Sequence, residues 1–445
     1  MAVTRGLMGR YSKDAKSAQI DRSVRVLDGD SGRLRNRRIA RARGGAGETR
    51  LVVAMLVMTA ILISTMLVMP TSFAPGTHNR TVMVNPLGTV GDLSWTNESP
   101  FISPGPRYEV ALVYDPPTDT FVLFGGLNDD GDHLNDTWSY DYQTNSWQSK
   151  SPVGHPDYVL GPAYAYDPVD EVMLLFPCIN AAFTVTNQTW SYDASIDEWK
   201  NLVATNSPPF RFYCSGAYDS ESDKFVVFGG GDLSNNLYNE TWSYDLTSNT
   251  WAMMPPAYSP APSLISSAVY DSESDRIILF GGLLDSMGNS GLLNETWSFD
   301  LDTNSWARMT PNAGPSERYG ISAVYDPISD LVITFGGVGF SYGGAEPVPV
   351  IFDDMWTYDL NSDTWFEVNQ LTKPTERALG AMAIDAMNRI VVLYGGAHEE
   401  VMVTLGDTWT VQLGAQIPEF GMFPLVAIGA LAAFFVANGA RRRKA

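Results

Sequence analysis

The sequence has few of the residues that build metal and disulfide sites. Its 445 residues include two cysteines and four histidines, and the histidines are dispersed along the chain. This composition excludes a disulfide-rich scaffold and the CxxC or HExxH motifs of zinc proteins. Lysine is scarce as well: residues 71–440 contain four lysines, and 12 basic residues stand there against 45 acidic ones. A region this acidic does not offer a basic face to nucleic acid, so no nucleic-acid partner is predicted.

Basic residues are concentrated at the two ends of the chain, beside apolar segments. Residues 1–50 hold 13 Lys and Arg against 5 Asp and Glu, and residues 441–445 read RRRKA. The runs 51–70 and 420–440 carry no charge, and each is long enough to cross a hydrocarbon core of about 30 Å. Because Lys and Arg flank membrane spans on the cytoplasmic side, we expect two transmembrane helices, cytoplasmic tails at 1–50 and 441–445, and an extracellular region between the spans.

The first apolar run has two interpretations. A cleaved signal peptide has an apolar core of about 7–15 residues, so the longer run at 51–70 favours an uncleaved signal anchor over a cleaved signal. The tail 1–50 is predicted to be disordered, and linkers are predicted at 71–89 and 414–419. They flank the extracellular domain at 90–413.

The extracellular region is built from a sixfold repeat. Each unit contains a Tyr-Asp pair, a polar turn and an apolar run that usually ends in Gly-Gly, as in VYDPPTDTFVLFGG at 113–126. A Trp segment follows, as in DTWSYDYQTNSW at 136–147. The other units begin at residues 165, 217, 269, 324 and 383. The polar clusters predict turns and the apolar runs predict short strands, four to a unit, with no segment of helical period.

These Gly-Gly, Tyr-Asp and paired-Trp units resemble kelch repeats. The resemblance implies an all-β fold, a six-bladed β-propeller with four strands, a to d, in each blade. Two units depart from the pattern. Pro177 and Cys178 replace Gly-Gly in the second unit, and the sixth has Trp409 but no second Trp.

Trp95 precedes the first unit but lies in register with the repeat. In units one to five the second Trp lies twelve residues before the start of the next strand a, and Trp95 lies twelve residues before Arg107. We therefore expect the residues around Trp95 to supply the missing strand d of the sixth blade. This pairing closes the ring and removes its exposed edges.

Ring closure predicts which face of the propeller points outward. The chain enters the sixth blade before Trp95 and leaves it after Leu413 at the same face, and the linker 414–419 is too short to cross the ring at about 3.6 Å per residue. Both tethers then lie under the face with the a–b and c–d turns. The opposite face, with the b–c and d–a loops, carries the longest insertion, Val338 to Met355. That insertion has the composition of a binding loop, although a tolerated surface insertion explains it equally well.

Four arginines occupy equivalent positions at the start of strand a. They are Arg107, Arg211, Arg318 and Arg377. Their position near the outward mouth of the channel makes them candidate ligand-binding residues for a carboxylate or an acidic glycan. The alternative is a structural role, in which they pair with nearby acidic residues.

Three other sets of residues are candidates for modification or ion binding. Cys178 and Cys214 fall on the outward side of adjacent blades and form a candidate disulfide, with two separate thiols as the alternative. A candidate calcium site consists of Asp129, Asp130, Asp132 and Asp136, whose spacing is not that of an EF-hand, and a solvated acidic loop is the alternative. Candidate glycosylation sites are Asn79, Asn135, Asn187, Asn239 and Asn294, each in an Asn-x-Ser/Thr sequence. The last four precede the repeat Trp, and the repeat pattern explains these letters equally well.

The stretch IPEFGMF at 417–423 precedes the second apolar run. With that run and the arginines after it, this stretch resembles the PEF-type C-terminal sorting signals that archaeosortases process. The resemblance implies an archaeal surface protein whose second span is removed and replaced by a lipid.

The predicted function is non-enzymatic binding of a glycan, an envelope protein or another cell through the outward loops, without a cofactor. An extracellular carbohydrate-active enzyme, such as a sugar mutarotase or epimerase, is the alternative, because it needs only a few polar groups at the channel mouth. A role as a spacer in a surface layer is a third interpretation. The copper site of galactose oxidase needs paired histidines, and sialidases carry Asp boxes. The sequence has neither pattern.

Overall fold

The computed structural model describes residues 93–414, apart from 158, 160, 177, 180–184, 233, 285–290, 342–347 and 399–402. Within this part the regular secondary structure consists of β-strands, which confirms the all-β prediction. No helix there is long and apolar enough to cross a membrane. The predicted tails and the spans at 51–70 and 420–440 lie outside the described residues.

Six four-stranded antiparallel sheets form the blades of a six-bladed propeller. Blade one contains β3 (Ala111–Asp115), β4 (Thr120–Leu127), β5 (His133–Asp141) and β6 (Ser146–Ser149). Blade two contains β7 (Ala163–Asp167), β8 (Val172–Phe176), β11 (Trp190–Asp193) and β12 (Glu198–Asn201). Blade three contains β13 (Ser215–Asp219), β14 (Lys224–Phe228), β15 (Thr241–Asp245) and β16 (Thr250–Met254).

The remaining three blades repeat the same order of strands. Blade four contains β17 (Ser267–Asp271), β18 (Arg276–Phe280), β19 (Thr296–Asp300) and β20 (Ser305–Arg308). Blade five contains β21 (Ser322–Asp326), β22 (Leu331–Phe335), β25 (Met355–Asp359) and β26 (Thr364–Glu367). Blade six contains β28 (Ala381–Asp385), β29 (Ile390–Tyr394), β32 (Thr408–Gln412) and β2 (Thr96–Asn97).

Eight short strands pair outside the blades. Three hairpins extend the b–c loops of blades two, five and six. They are β9 (Cys178–Ile179) with β10 (Val185–Thr186), β23 (Val338–Ser341) with β24 (Val348–Ile351), and β30 (Ala397–His398) with β31 (Val403–Thr404). In addition, β1 (Leu93–Ser94) pairs in parallel with β27 (Gln370–Thr372), beyond strand d of blade five.

Six layers of the hydrophobic core lie between adjacent blades, and a smaller seventh cluster contains Leu264, Leu283 and Leu292. Each layer combines side chains of two neighbouring blades and contains one tryptophan of a strand d or its flank. These tryptophans are Trp95, Trp147, Trp199, Trp251, Trp306 and Trp365. All six are buried. Because removal of a buried Trp costs about 3–5 kcal/mol, these layers account for much of the stability of the ring.

Blade six is completed by the N-terminal strand, as the position of Trp95 predicts. Strand β2 pairs antiparallel with β32, with Thr96 opposite Thr410. Trp95 is 2% exposed and packs edge-on against Phe335 of blade five, with ring centroids 5.7 Å apart. The start of β2 and the end of β32 therefore lie on the same face of the propeller, which confirms the predicted closure.

The indole N–H groups link neighbouring blades through one repeated hydrogen bond. In blades one to five the strand-d Trp donates to a threonine of the preceding blade, as Trp147 does to Thr408 at 2.9 Å. The other four pairs are Trp199 with Thr137, Trp251 with Thr189, Trp306 with Thr241, and Trp365 with Thr296. In blade five the equivalent position holds Met355, so the Nε1 atom of Trp95 has no hydrogen-bond partner. The exception follows from that single residue.

The a–b and c–d turns form one face of the propeller, called the turn face below. They are short turns whose last residue has positive φ, a conformation that Asp and Asn tolerate. In eight of them a tyrosine hydroxyl donates to that residue five positions later, as Tyr244 does to Asn249 at 2.8 Å. The turn face is thus built from one repeated, internally bonded motif.

Gly-Gly pairs terminate strand b where two blades meet. Gly395 and Gly396 both have positive φ, and a Cβ at position 395 would lie 2.5 Å from the carbonyl oxygen of Arg107 in blade one. The Gly396 N–H donates to that same carbonyl at 2.9 Å. Glycine is needed at these positions because the next blade approaches so closely.

Candidate binding site at the channel mouth

The innermost strands of the six blades surround a channel with a volume of about 1000 Å³. Its wall consists largely of small and apolar residues, for example Ala163, Gly216, Ala268 and Ala323. One end lies at the turn face. The other lies at the face formed by the b–c and d–a loops, called the loop face below. The channel belongs to the class of mostly apolar concave sites in which a few polar groups decide what binds.

A ring of six residues surrounds the channel at the loop face. One residue comes from each d–a loop, and all six have positive φ. They are Glu109, Gly161, Tyr213, Ile265, Gly320 and Leu379. Backbone hydrogen bonds connect neighbouring members, for example from the Glu109 N–H to the Leu379 carbonyl at 2.8 Å. Positive φ is unfavourable for residues other than glycine, and such residues are frequent at binding sites.

Two side chains of the ring extend over its two glycines. The Tyr213 ring covers Gly161, where a Cβ would lie 2.0 Å from its Cδ1 atom, and Leu379 packs against Gly320. Tyr213 thereby reaches from blade three to blade one, where its hydroxyl donates to Oε1 of Glu109 at 2.7 Å. The two glycines leave the space that these longer side chains fill.

Glu109 is the single acidic member of this ring and is only 7% exposed. Its Oε2 atom is buried and has no partner with hydrogen-bond geometry. Burial raises the pKa of Glu109 to about 7, while the Tyr213 hydroxyl and the nearby Gly161 N–H act in the opposite direction. Burial and the charge of Glu109 in turn raise the pKa of Tyr213 well above its usual value, so Tyr213 remains a neutral donor. The site therefore contains one carboxyl group that ionises near neutral pH.

The four predicted arginines lie at equivalent positions near this mouth but do not line the channel among the described residues. Each is at most 3% exposed, and each guanidinium pairs with an acidic residue of its own blade. The pairs are Arg107 with Asp136, Arg211 with Glu240, Arg318 with Asp354, and Arg377 with Asp407. Each Nη1 also donates to the carbonyl at the end of strand b. This geometry corresponds to the structural role, and ligand binding by these residues stays a prediction.

The arginines lower the pKa values of three of their acidic partners. Burial alone would raise the pKa of Asp136 and of Asp407, but the hydrogen bonds and charge of Arg107 and Arg377 outweigh it and lower both pKa values. The pKa of Glu240 is lowered in the same way by Arg211. The positive charge of an arginine therefore balances each of these carboxylates, whereas Glu109 has no ion-pair partner among the described residues.

The structure does not show the other predicted sites. Cys214 carries a free, buried thiol whose pKa burial raises to about 12, and the side chain of Cys178 lies outside the described part, so the disulfide is not shown. Of the four candidate calcium ligands, Asp136 binds Arg107 and Asp129 accepts a hydrogen bond from the Thr404 N–H. Among the described residues no group of three or more His, Cys, Asp or Glu is placed to hold a metal ion.

The candidate glycosylation sites differ in exposure. Asn187, Asn239 and Asn294 are exposed and precede strand c, while Asn135 is half-buried in β5. Asn79 lies outside the described residues. The structure therefore leaves three of the five side chains open to solvent.

A comparison with protein families matches this chain to one β-propeller family. The family described as the Attractin/LZTR1 beta-propeller matches residues 89–269 and again residues 174–405. The two matches together cover more than half of the chain. The chain belongs to this family. Its kelch-type blades and its propeller fold are thus supported both by the strand order and by relatives.

Curated relatives of this Attractin/LZTR1-type propeller have varied descriptions. An F-box/kelch-repeat protein of Arabidopsis thaliana is 27% identical over 326 residues, which cover 62% of this chain and 64% of the relative. Adagio protein 3 of the same plant is 26% identical over 311 residues, with 63% and 46% covered. Multiple epidermal growth factor-like domains protein 8 of Homo sapiens is 27% identical over 209 residues, with 44% and 7% covered. The chain spans less than two thirds of each relative.

Glu109 and Tyr213 were not among the site residues predicted from the sequence. Both lie two positions after the arginine that begins strand a, so alignment of the six units places them at one position of the repeat. At that position a single unit carries an acidic residue, and this difference was the available signal. Their hydrogen bond across Gly161 depends on the ring geometry, which the repeat pattern alone does not contain.

Proposed function

We propose that this propeller is a cell-surface interaction module that binds a protein or glycan partner through its loop face. The main support for this proposal is that the b–c loops differ from blade to blade in length and structure. Three of these loops carry hairpins of their own, and in blade one β4 and β5 extend into the loop. Loops that vary on a rigid scaffold are where binding residues are usually found.

Exposed apolar side chains in the b–c loops support this proposal. Val403 of β31 is 45% exposed, and Pro349 of β24 is exposed as well. A partner would bury these groups at a gain of about 25 cal/mol for each Å² of apolar surface removed from water.

Attachment to the membrane is the second part of the proposal. Both ends of the described chain, at Leu93 and Gly414, lie on the turn face, and the apolar segments 51–70 and 420–440 follow in the sequence on either side. Anchoring through both segments orients the loop face away from the membrane. The PEF-like stretch at 417–423 adds the proposal that the second segment is processed, which the mass of the mature protein would reveal.

Variants on the two faces test the binding proposal. The full chain in lipid nanodiscs is screened against a glycan array and against envelope proteins of the organism that produces it. Val403→Ser should weaken the binding found by at least about tenfold, a loss of about 1.4 kcal/mol. Val169→Ser is the matched control, because this exposed valine lies in an a–b turn on the turn face. Binding that depends on Val169 but not on Val403 would refute the proposed face.

A further inference from the structure

Acidic residues at the loop face fall into two kinds. Asp136, Glu240, Asp354 and Asp407 each have an arginine within 2.7 Å. Glu109 lies at the same end of the channel, and among the described residues no Lys, Arg or His forms an ion pair with it. A buried carboxylate without a cation is unfavourable, so its surroundings favour either a proton or a cationic ligand.

The Tyr213 hydroxyl binds one of the two carboxylate oxygens of Glu109, and the Gly161 N–H lies close to this carboxyl group. Oε1 accepts from the Tyr213 hydroxyl, whereas Oε2 is buried without a partner. Such an atom in a native structure calls for an explanation, since buried polar atoms are almost always paired. A ligand that donates a hydrogen bond would satisfy Oε2, and a positively charged donor would also balance the charge.

The surroundings of Glu109 suit an organic cation. Glu109 and Tyr213 both line the channel, which offers about 1000 Å³ beside them. Tyr213 and Tyr319 pack against the same small apolar cluster, so two aromatic rings lie at this end. Aromatic faces attract cations, and ammonium groups are recognised by such rings. Neither the small apolar wall nor these rings would hold a free anion.

We propose that Glu109, together with the ring of Tyr213, forms a binding site for an organic ammonium group at the loop-face end of the channel. The ammonium donates to Oε2 and lies against the Tyr213 ring. Because Oε2 is buried, entry of the ammonium group requires side chains around it to move. The site does not depend on membrane attachment or on a partner at the outer loops.

Calorimetry with n-butylammonium as the probe tests this site in the full-length protein. The neutral match is n-butanol, which keeps the alkyl chain and lacks the charge. We expect millimolar or tighter binding of the ammonium above pH 7, no binding of the alcohol, and loss of at least about tenfold in affinity in Glu109→Gln. Glu376→Gln, which removes an acidic residue elsewhere on the loop face, should bind like the parent protein.

Proton release in the parent protein provides a readout that does not need a variant. Below pH 7 part of Glu109 is protonated, so ammonium binding should release protons, measured as a dependence of the binding enthalpy on the ionisation enthalpy of the buffer. This result holds even if Glu109→Gln fails to fold. Absence of ammonium binding, binding without proton release below pH 7, or equal affinity in a folded Glu109→Gln protein would overturn the proposal.

Discussion

The two faces of this propeller differ in how regularly their structure repeats from blade to blade. At the turn face, eight tyrosine–Asp or tyrosine–Asn hydrogen bonds repeat one motif in five blades, and the chain enters and leaves there. At the loop face, the b–c loops differ between blades, and one buried carboxyl lacks a cation. The turn face therefore repeats one structural motif from blade to blade, whereas the loop face is free to change in sequence and in binding specificity.

The largest expected effect comes from a buried ion pair at the turn face. Arg389 of blade six forms an ion pair with Asp326 of blade five, whose side chain is fully buried. The equivalent aspartate of blade four, Asp271, faces Tyr325 instead of an arginine. Arg389→Leu should lower the free energy of unfolding by about 3–5 kcal/mol, because it leaves an uncompensated buried charge. Arg377→Leu at the loop face should cost less, about 2 kcal/mol, since Asp407 is 25% exposed and can be hydrated. Denaturant titration of both variants measures the difference, and equal losses would contradict it.

Glu109 should make the loop face a pH-dependent source of instability. Its folded-state pKa of about 7 lies above the usual 4.5, so its penalty is absent below pH 4.5, grows as pH rises to about 7 and is complete above that. Glu109→Gln should therefore raise the free energy of unfolding by up to about 3 kcal/mol above pH 7 and leave it unchanged below pH 4.5. Titratable neighbours are Tyr213 and Tyr108, which stay neutral in this range. A pH-independent effect would show that Glu109 does not titrate there.

The tyrosine motif of the turn face can be tested by removing its hydrogen bond in one blade and adding the same bond in another. Tyr244→Phe removes the bond to Asn249 and should cost about 1 kcal/mol, while Tyr142→Phe, which loses no hydrogen bond, is the control. In blade four Phe299 stands where tyrosine is expected, and Oδ1 of Asn304 has no partner. Phe299→Tyr should therefore stabilise the protein by up to about 1 kcal/mol. Thermal unfolding that shows a loss in both exchanges would contradict the motif.

The smallest effect concerns the indole bonds between blades. Trp147→Phe should cost about 1 kcal/mol more than Trp95→Phe, because Trp147 loses a hydrogen bond to Thr408 and the N–H of Trp95 has none to lose. Denaturant unfolding of the two variants measures this difference. In a Met355→Thr background, which restores the usual acceptor, the cost of Trp95→Phe should rise toward that of Trp147→Phe. No change in that background would mean that Trp95 is placed differently from the other five.

Much of the fold could be predicted from the sequence, because kelch spacing is periodic and local. The Gly-Gly and Trp positions predicted the strands, and the twelve-residue interval from Trp95 to Arg107 predicted the pairing of β2 with β32. The site was harder to predict. Arg318 could be placed at the channel mouth from the repeat, but its burial and its pairing with Asp354 follow from packing between strands. Alignment of the units marks Glu109 as the one acidic residue at its position, but its contact with Tyr213 joins residues 104 positions apart and follows only from the ring geometry.

Amide hydrogen exchange at Glu98 tests the closure of blade six most directly. The Glu98 N–H donates to the Thr408 carbonyl at 2.9 Å, which is the bond that the Lys150 N–H makes to Thr137 in blade one at 2.8 Å. If β2 completes the ring, Glu98 should exchange as slowly as Lys150 under native conditions, because both amides are then held in complete blades. Exchange of Glu98 at the rate of an unstructured peptide, with Lys150 still protected, would show that blade six is open and that the two chain ends do not share the turn face.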